Sequence, residues 1–210
     1  KGFIMSIVTL NDRAVRSVTT FGSVNAGSMV FIKKLTASSS ATLSFVDGSD
    51  SVVLDSTYKE YMFTYNNIHP ATDAAKFTFQ GNAAGGSGYN ETITSTFFYA
   101  YHDEASSETG VSYYGSGDQA QGTSFQRLSS GGVGNGNDES VSGYLHLFNP
   151  SSTTFVKHFI SSNSTYQDNN SVNNNYVSGY FNTTSAIDEI QFKFDSGNID
   201  AGDICLYGIL

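Results

Sequence analysis

Polar and apolar residues alternate in the stretch EIQFKF, residues 189–194, so that Ile190, Phe192 and Phe194 fall on one side of an extended chain. The same alternation recurs in LSF, residues 43–45, and in FTF, residues 77–79. One apolar face per segment is the pattern of a half-buried β-strand. These segments predict an all-β protein with a core built largely from phenylalanine.

Further segments along the chain are rich in β-branched and aromatic residues and end at Gly or Asn turns. The predicted strands are Met29–Leu35, Ala41–Val46, Ser51–Leu54, Tyr58–Asn66, Lys76–Gln80, Thr92–His102, Val141–Asn149, Thr154–Ser161, Tyr176–Thr184, Glu189–Phe194 and Asp203–Ile209. The segments predicted as loops are Gly81–Tyr89, Glu104–Leu128, Ser129–Ser140 and Asn163–Asn175. Many short strands without helical periodicity favour one antiparallel β-sandwich of jelly-roll type over residues 28–210.

The first 27 residues differ from the rest of the chain because they hold few core-forming residues. A short helix is predicted over Asp12–Thr20, with Asn11 as its N-cap and a weak apolar stripe that includes Val15. Two turns of helix are not stable alone. Residues 1–27 are therefore predicted to form an arm that docks on a neighbouring molecule.

The composition excludes several classes of partner. The 210 residues carry 10 Lys and Arg against 19 Asp and Glu, which gives a net charge of −9. This charge repels phosphate backbones and anionic lipid, so we expect no nucleic-acid partner and no membrane insertion. The single cysteine, Cys205, excludes an internal disulfide and favours assembly in a reducing cytoplasm.

Catalytic and metal-binding patterns are weak throughout the sequence. The string YHDE, residues 101–104, places a histidine beside two carboxylates, but neighbouring side chains on a strand point to opposite faces, and we assign the string to the surface. His146 and His158 come onto adjacent strands if a hairpin forms around Asn149. The oxygen-rich turns at 47–50 and 137–139 do not match a calcium loop. The sequence therefore predicts no catalytic residue, no metal site and no cofactor.

Tyrosines in the predicted loops are the more suggestive feature. Tyr89, Tyr113, Tyr114 and Tyr166 lie among Gly, Ser, Asn and Gln. Such a mixture suits stacking on sugar rings and hydrogen bonding to their hydroxyls. Packing of the loops on the sandwich or on a neighbouring subunit explains it equally well. These four residues are the candidates for contact with a glycan or a subunit.

Three strings in the C-terminal half are distinctive in combination. They are LFNPSSTT at 147–154, NTTSAI at 182–187, and SGNIDAG at 196–202 running into LYGI at 206–209. In this order they resemble a family of uncharacterised virion structural and appendage proteins of marine tailed bacteriophages. The strings LTASS, FVDG, IHPAT and YHDE, which begin at residues 35, 45, 68 and 101, fit the same resemblance. The similarity spans residues 29–209 and extends weakly into 5–23.

The resemblance implies a virion component made in the host bacterial cytoplasm, without catalytic residues to transfer. The leading interpretation is a non-enzymatic tail fibre, head decoration or similar appendage that contacts other virion proteins. It also implies a homo-oligomer, most plausibly a trimer. A glycan-binding receptor module is the alternative. A polysaccharide-degrading enzyme ranks last because it needs a pair of acids in a cleft, and no pair stands out in the sequence.

Overall fold

The computed structural model describes residues 28–210, which form thirteen β-strands. They are β1 (Met29–Thr36), β2 (Leu43–Val46), β3 (Glu60–Pro70), β4 (Phe77–Ala83), β5 (Ile93–Asp103), β6 (Thr109–Tyr113), β7 (Ala120–Gly122), β8 (Gln126–Arg127), β9 (Val141–Phe148), β10 (Lys157–Tyr166), β11 (Ser171–Phe181), β12 (Ile187–Phe194) and β13 (Ile199–Ile209). This part of the chain has no helix, and hence none that is long and apolar enough to cross a membrane. The predicted arm and its helix lie outside the described residues.

The strands form two antiparallel sheets. The large sheet has the order β1-β13-β3-β9-β10-β11-β5-β6, and β7 pairs with β5. The small sheet has the order β2-β12-β4-β8. The prediction of an all-β antiparallel fold is confirmed. We call the side of the large sheet that points away from the small sheet its outer face.

Aromatic rings from both sheets meet in the core. Phe192 of the small sheet stacks on Phe77 with ring centroids 5.8 Å apart, and it contacts Phe63 of the large sheet at 5.5 Å. Phe45 packs edge-on against Phe63 at 5.2 Å. All four rings are fully buried. The alternating residues identified in the sequence therefore do form the core.

Most predicted strands occur, with bounds shifted by a few residues, but the strand predicted at Ser51–Leu54 is wrong. This segment is a turn followed by irregular chain. Gly48, Asp50 and Ser51 all have positive φ, and the backbone amide of Leu54 donates to Oδ1 of Asp47 at 2.8 Å. In this segment, a hydrogen bond to a side chain takes the place of the backbone hydrogen bonds that a strand would make to its neighbour.

The loop predicted at Asn163–Asn175 is also wrong, because β10 continues to Tyr166 and β11 begins at Ser171. The polar residues that suggested a loop face inward and bond to one another. Asn175 Nδ2 donates to Asn163 Oδ1 at 2.9 Å and to Thr165 Oγ1 at 3.0 Å. Buried polar groups that satisfy each other are compatible with a strand interior.

The segment Glu104–Leu128, predicted as one loop, contains the three short strands β6, β7 and β8. They pair with β5 and β4 at the sheet edges. Their sequences carry few apolar residues on either face, so alternation does not reveal them. The end of β4 similarly extends into the predicted loop Gly81–Tyr89.

Replacement of Phe192 by Ala is expected to lower the free energy of unfolding by about 3–5 kcal/mol, because the cavity it leaves is lined by rings from both sheets. Urea denaturation followed by circular dichroism measures this loss. Phe155→Ala is the matched control, since Phe155 is 69% exposed and its removal should change stability by no more than about 0.5 kcal/mol. Equal effects of the two variants would contradict the assigned core.

Candidate functional site

The four candidate tyrosines occupy three separate places. Tyr89 lies in the β4–β5 loop, Tyr113 and Tyr114 at the end of β6, and Tyr166 at the end of β10. Tyr113 and Tyr166 lie on the outer side of the large sheet, whereas Tyr89 packs beside the small sheet. The structure therefore does not gather them into one site.

Tyr89 is held against the small sheet. Its hydroxyl donates to Glu189 Oε2 at 2.7 Å, and its ring lies 6.4 Å from that of Phe125. Burial, reinforced by the Glu189 carboxylate, raises the pKa of Tyr89 to about 12. These contacts anchor the β4–β5 loop.

Tyr113 and Tyr114 are adjacent and point to opposite sides of β6. Tyr113 is 58% exposed, and its hydroxyl donates to Asp118, which raises the pKa of Tyr113. Tyr114 instead packs edge-on against Phe97 at 5.1 Å, and its hydroxyl accepts a hydrogen bond from Arg127 Nη1 at 3.2 Å. Tyr114 is thus a packing residue, and Tyr113 is a surface residue.

Tyr166 borders a cleft of 410 Å³ at one end of the outer face, which we call the outer cleft. Its hydroxyl donates to Glu104 Oε1 at 3.0 Å, and this hydrogen bond raises the pKa of Tyr166. The lining comes from the ends of β5, β9, β10 and β11 and from the residues flanking them. The residues are His102, Asp103, Glu104, Ser140, Ser142, Ser164, Tyr166, Ser171 and Val172.

The carboxylates of the YHDE string have different roles in this cleft. Asp103 Oδ1 accepts hydrogen bonds from the backbone amides of Ser107 and Glu108 at 2.8 and 2.9 Å, and the Ser107 hydroxyl donates to Asp103 Oδ2. These bonds, led by the Ser107 hydroxyl, lower the pKa of Asp103. Asp103 therefore organises the β5–β6 turn, whereas exposed Glu104 faces the cleft with Tyr166.

A second cleft, of 260 Å³, lies on the inner side of the same strand ends, and we call it the inner cleft. It shares Asp103 and Ser171 with the outer cleft. Its further lining residues are Tyr99, Tyr101, Glu108, Ser130, Gly131, Gln167, Asn169 and Asn173. The lining is polar apart from the two tyrosine rings, whose centroids are 5.7 Å apart.

The wall of the inner cleft is preorganised by the buried polar network behind it. Asn173 Nδ2 donates to Ser130 Oγ at 2.8 Å, while Asn173 Oδ1 is buried without a hydrogen-bond partner among residues 28–210. Gly131 packs against the buried Gln167 amide, so a side chain at this position would displace that amide. Carboxylates, amides and rings held in this way suit the hydroxyls and apolar faces of sugars.

Sequence reasoning missed Tyr99, Tyr101, Gln167 and Asn169. Alternation along β5 was the available signal, because it places Tyr99 and Tyr101 on the same side of the strand. The two amide residues were hidden inside a segment that looked like a loop. Among the described residues, no group of three or more His, Cys, Asp and Glu is arranged to hold a metal ion.

Comparison with known proteins finds no relative of this chain. No family model matches the chain, and no curated protein and no solved structure is similar to it.

Tyr114→Ala is expected to lower the free energy of unfolding by about 2–3 kcal/mol because it removes a packed ring. Tyr113→Ala should change it by less than about 0.5 kcal/mol because that ring is solvated. Urea denaturation of the two single variants measures the difference. A larger loss for Tyr113→Ala than for Tyr114→Ala would contradict the orientation of β6.

Proposed function

We propose that this chain is a non-enzymatic structural protein of a bacteriophage virion, in a tail fibre, head decoration or similar appendage. It would be made in the host bacterial cytoplasm and assemble there as a homo-oligomer, most plausibly a trimer, with other virion proteins. The observation that carries the proposal is the order of the strands in the two sheets.

We further propose that the two sheets are an elaborated jelly roll. Eight strands, β1, β2, β3, β4, β8, β9, β12 and β13, form the series 1 to 8 in chain order. In that series, the large sheet contains the run 1-8-3-6 and the small sheet the run 2-7-4-5. This is the strand order of a jelly roll, an architecture that recurs in viral capsid proteins and lectins. The remaining strands then widen the large sheet beyond β9.

The strings that resemble phage proteins support the same proposal, because they lie at the turns of this framework. The turn after β9 and the turn before β12 are in direct contact, since the amide of Ile187 donates to the carbonyl of Pro150 at 2.9 Å. The third string forms the turn into β13, where Asn198 Nδ2 donates to the Ser39 carbonyl at 2.9 Å. Hydrogen bonds of this kind hold the turns in fixed positions on the framework of the two sheets.

The location of the chain in particles tests the proposal directly. Antibody raised against the chain is expected to label purified particles of the encoding phage at one discrete place in electron micrographs. Antibody preabsorbed with the recombinant chain is the control. Mass spectrometry should find the chain in gradient-purified particles, whereas its recovery only from the particle-free lysate would overturn the proposal.

A second candidate function, glycan binding, is favoured by the two clefts that share Asp103. Together they present carboxylates, amides, hydroxyls and the rings of Tyr101 and Tyr166 at one end of the large sheet. Sugar recognition uses this combination of stacking and hydrogen bonding. In this proposal, Glu104 and Tyr166 contact the glycan from the outer cleft, and Tyr101 contacts it from the inner cleft.

Binding to polysaccharide extracted from the host surface is expected to weaken about 10-fold or more in Tyr101→Ala and in Glu104→Gln, because each removes about 1.4 kcal/mol or more of contact. Tyr113→Ala is the matched control, since it removes an exposed tyrosine that lies outside both clefts. Isothermal titration calorimetry measures the affinities. Absence of binding by the unmodified chain, or equal loss in all three variants, would reject this function.

A further inference from the structure

The outer face of the large sheet has an unusual composition for an acidic protein. The outward residues of β9, β10, β11, β5 and β6, among the described strands, include no Asp, Glu, Lys or Arg. The chain as a whole has 29 such residues, from 10 Lys and Arg and 19 Asp and Glu. Their depletion together with enrichment in aromatic rings distinguishes the centre of protein interfaces from ordinary surface.

Aromatic side chains on this face are aligned across the sheet. The strand register places one outward residue from each of β9, β10, β11, β5 and β6 in a single row, which we call the aromatic row. Four of the five are aromatic, and Ser162 is the exception. In strand order they are Tyr144, Ser162, Tyr176, Phe98 and Tyr113. Tyr176 and Phe98 stack with centroids 4.9 Å apart, yet they remain 37% and 44% exposed. The row therefore leaves a solvated apolar ridge.

A depression lies beside this ridge, over the next outward residues of β5, β10 and β11. It has a volume of 530 Å³, and its outward lining residues are Thr94, Thr96, His158, Ile160, Ser178 and Tyr180. Its polar groups are neutral hydroxyls and one imidazole. A pair of rings that entered the depression would contact the apolar surfaces of Ile160 and Tyr180.

The outer face is large enough for a stable interface. Strands lie about 4.8 Å apart and successive outward residues about 7 Å apart, so the whole face of eight strands and five rows covers roughly 34 by 27 Å, or about 900 Å². The five strands without outward charge supply roughly 19 by 27 Å of this, or about 500 Å². On the other three strands, Lys34, Asp203 and Glu60 also point outward. A standard interface buries about 800 Å² on each partner. The rings of Phe31 and Tyr207, which contact each other at 5.7 Å, extend the face across β1 and β13.

We propose that a second copy of this chain covers the outer face, and that the Tyr176–Phe98 pair of one copy enters the depression of the next. Two copies that each carry a charge of −9 repel each other, and repulsion is least where they meet through the five strands whose outward residues are uncharged. The ridge and the depression lie on the same face, so symmetric copies present both halves of the contact to each other. The inference rests on the proposed homo-oligomer. Because both halves of the contact lie on one face, the contact pairs two copies about a two-fold axis, and a trimer would need a further contact.

Light scattering coupled to size-exclusion chromatography of the full chain tests the interface. The unmodified chain is expected to be an oligomer at micromolar concentration. The double variant Phe98→Lys with Tyr176→Lys is expected to be a monomer, with self-association weakened by about 100-fold or more, because charge would be buried against an apolar wall. Phe155→Lys is the control, which replaces an exposed ring outside the face by one lysine and should leave the oligomer intact.

Hydroxyl-radical footprinting of the unmodified chain keeps the test independent of variant folding. Oxidation of Tyr176 and Phe98 should fall several-fold as protein concentration rises, while oxidation of Phe155 stays constant. A monomeric unmodified chain, or an oligomeric double variant, would overturn the inference.

Protection of the face in particles but not in concentrated purified protein would assign it to another virion protein, which also overturns the inference. In that case the particle location, measured separately by antibody labelling, would still stand.

Discussion

The packing of aromatic rings between the two sheets is the interaction on which the rest of the structure depends. Phe192 contacts rings from both sheets, and each of these rings is fully buried. Rings bury more apolar area than any other side chain, so a few of them hold two sheets together without disulfides. Because strand residues alternate, fixing the inner face also determines which residues are presented outward.

The sequence predicts best where this alternation is apolar against polar. The alternation in 77–79 and 190–194 correctly predicts strands whose apolar residues lie in the core. The prediction is wrong at Asn163 and Asn175. Their side-chain amides are buried and hydrogen-bonded to each other, but in a single sequence asparagine is typical of a loop. Whether such residues pair depends on register between distant strands, and local sequence does not encode it.

The candidate clefts were only partly predictable for a related reason. Tyr166 and Glu104 are 62 residues apart, and only the pairing of β11 with both β10 and β5 brings them together. On β9, β10, β11, β5 and β6, the outward residues carry no charge. Asp103, Glu104 and Glu108 gather at the strand ends, where the clefts lie, while the centre of the sheet stays neutral. A glycan site at the strand ends and a subunit contact at the centre of the outer face are therefore compatible on one molecule.

The pairing of β1 with β13 has a consequence for biosynthesis. Met29 lies opposite Ile209, so the first described strand has its only partner in the last one. A nascent chain cannot close the large sheet until β13 has been synthesised, and until then β1 and β3 both lack the strand between them. Folding dominated by such non-local pairing is slow and leaves unpaired edges open to aggregation. Chains in which β13 has not yet been made therefore expose the edges of both β1 and β3, and these edges are where protection from aggregation matters most.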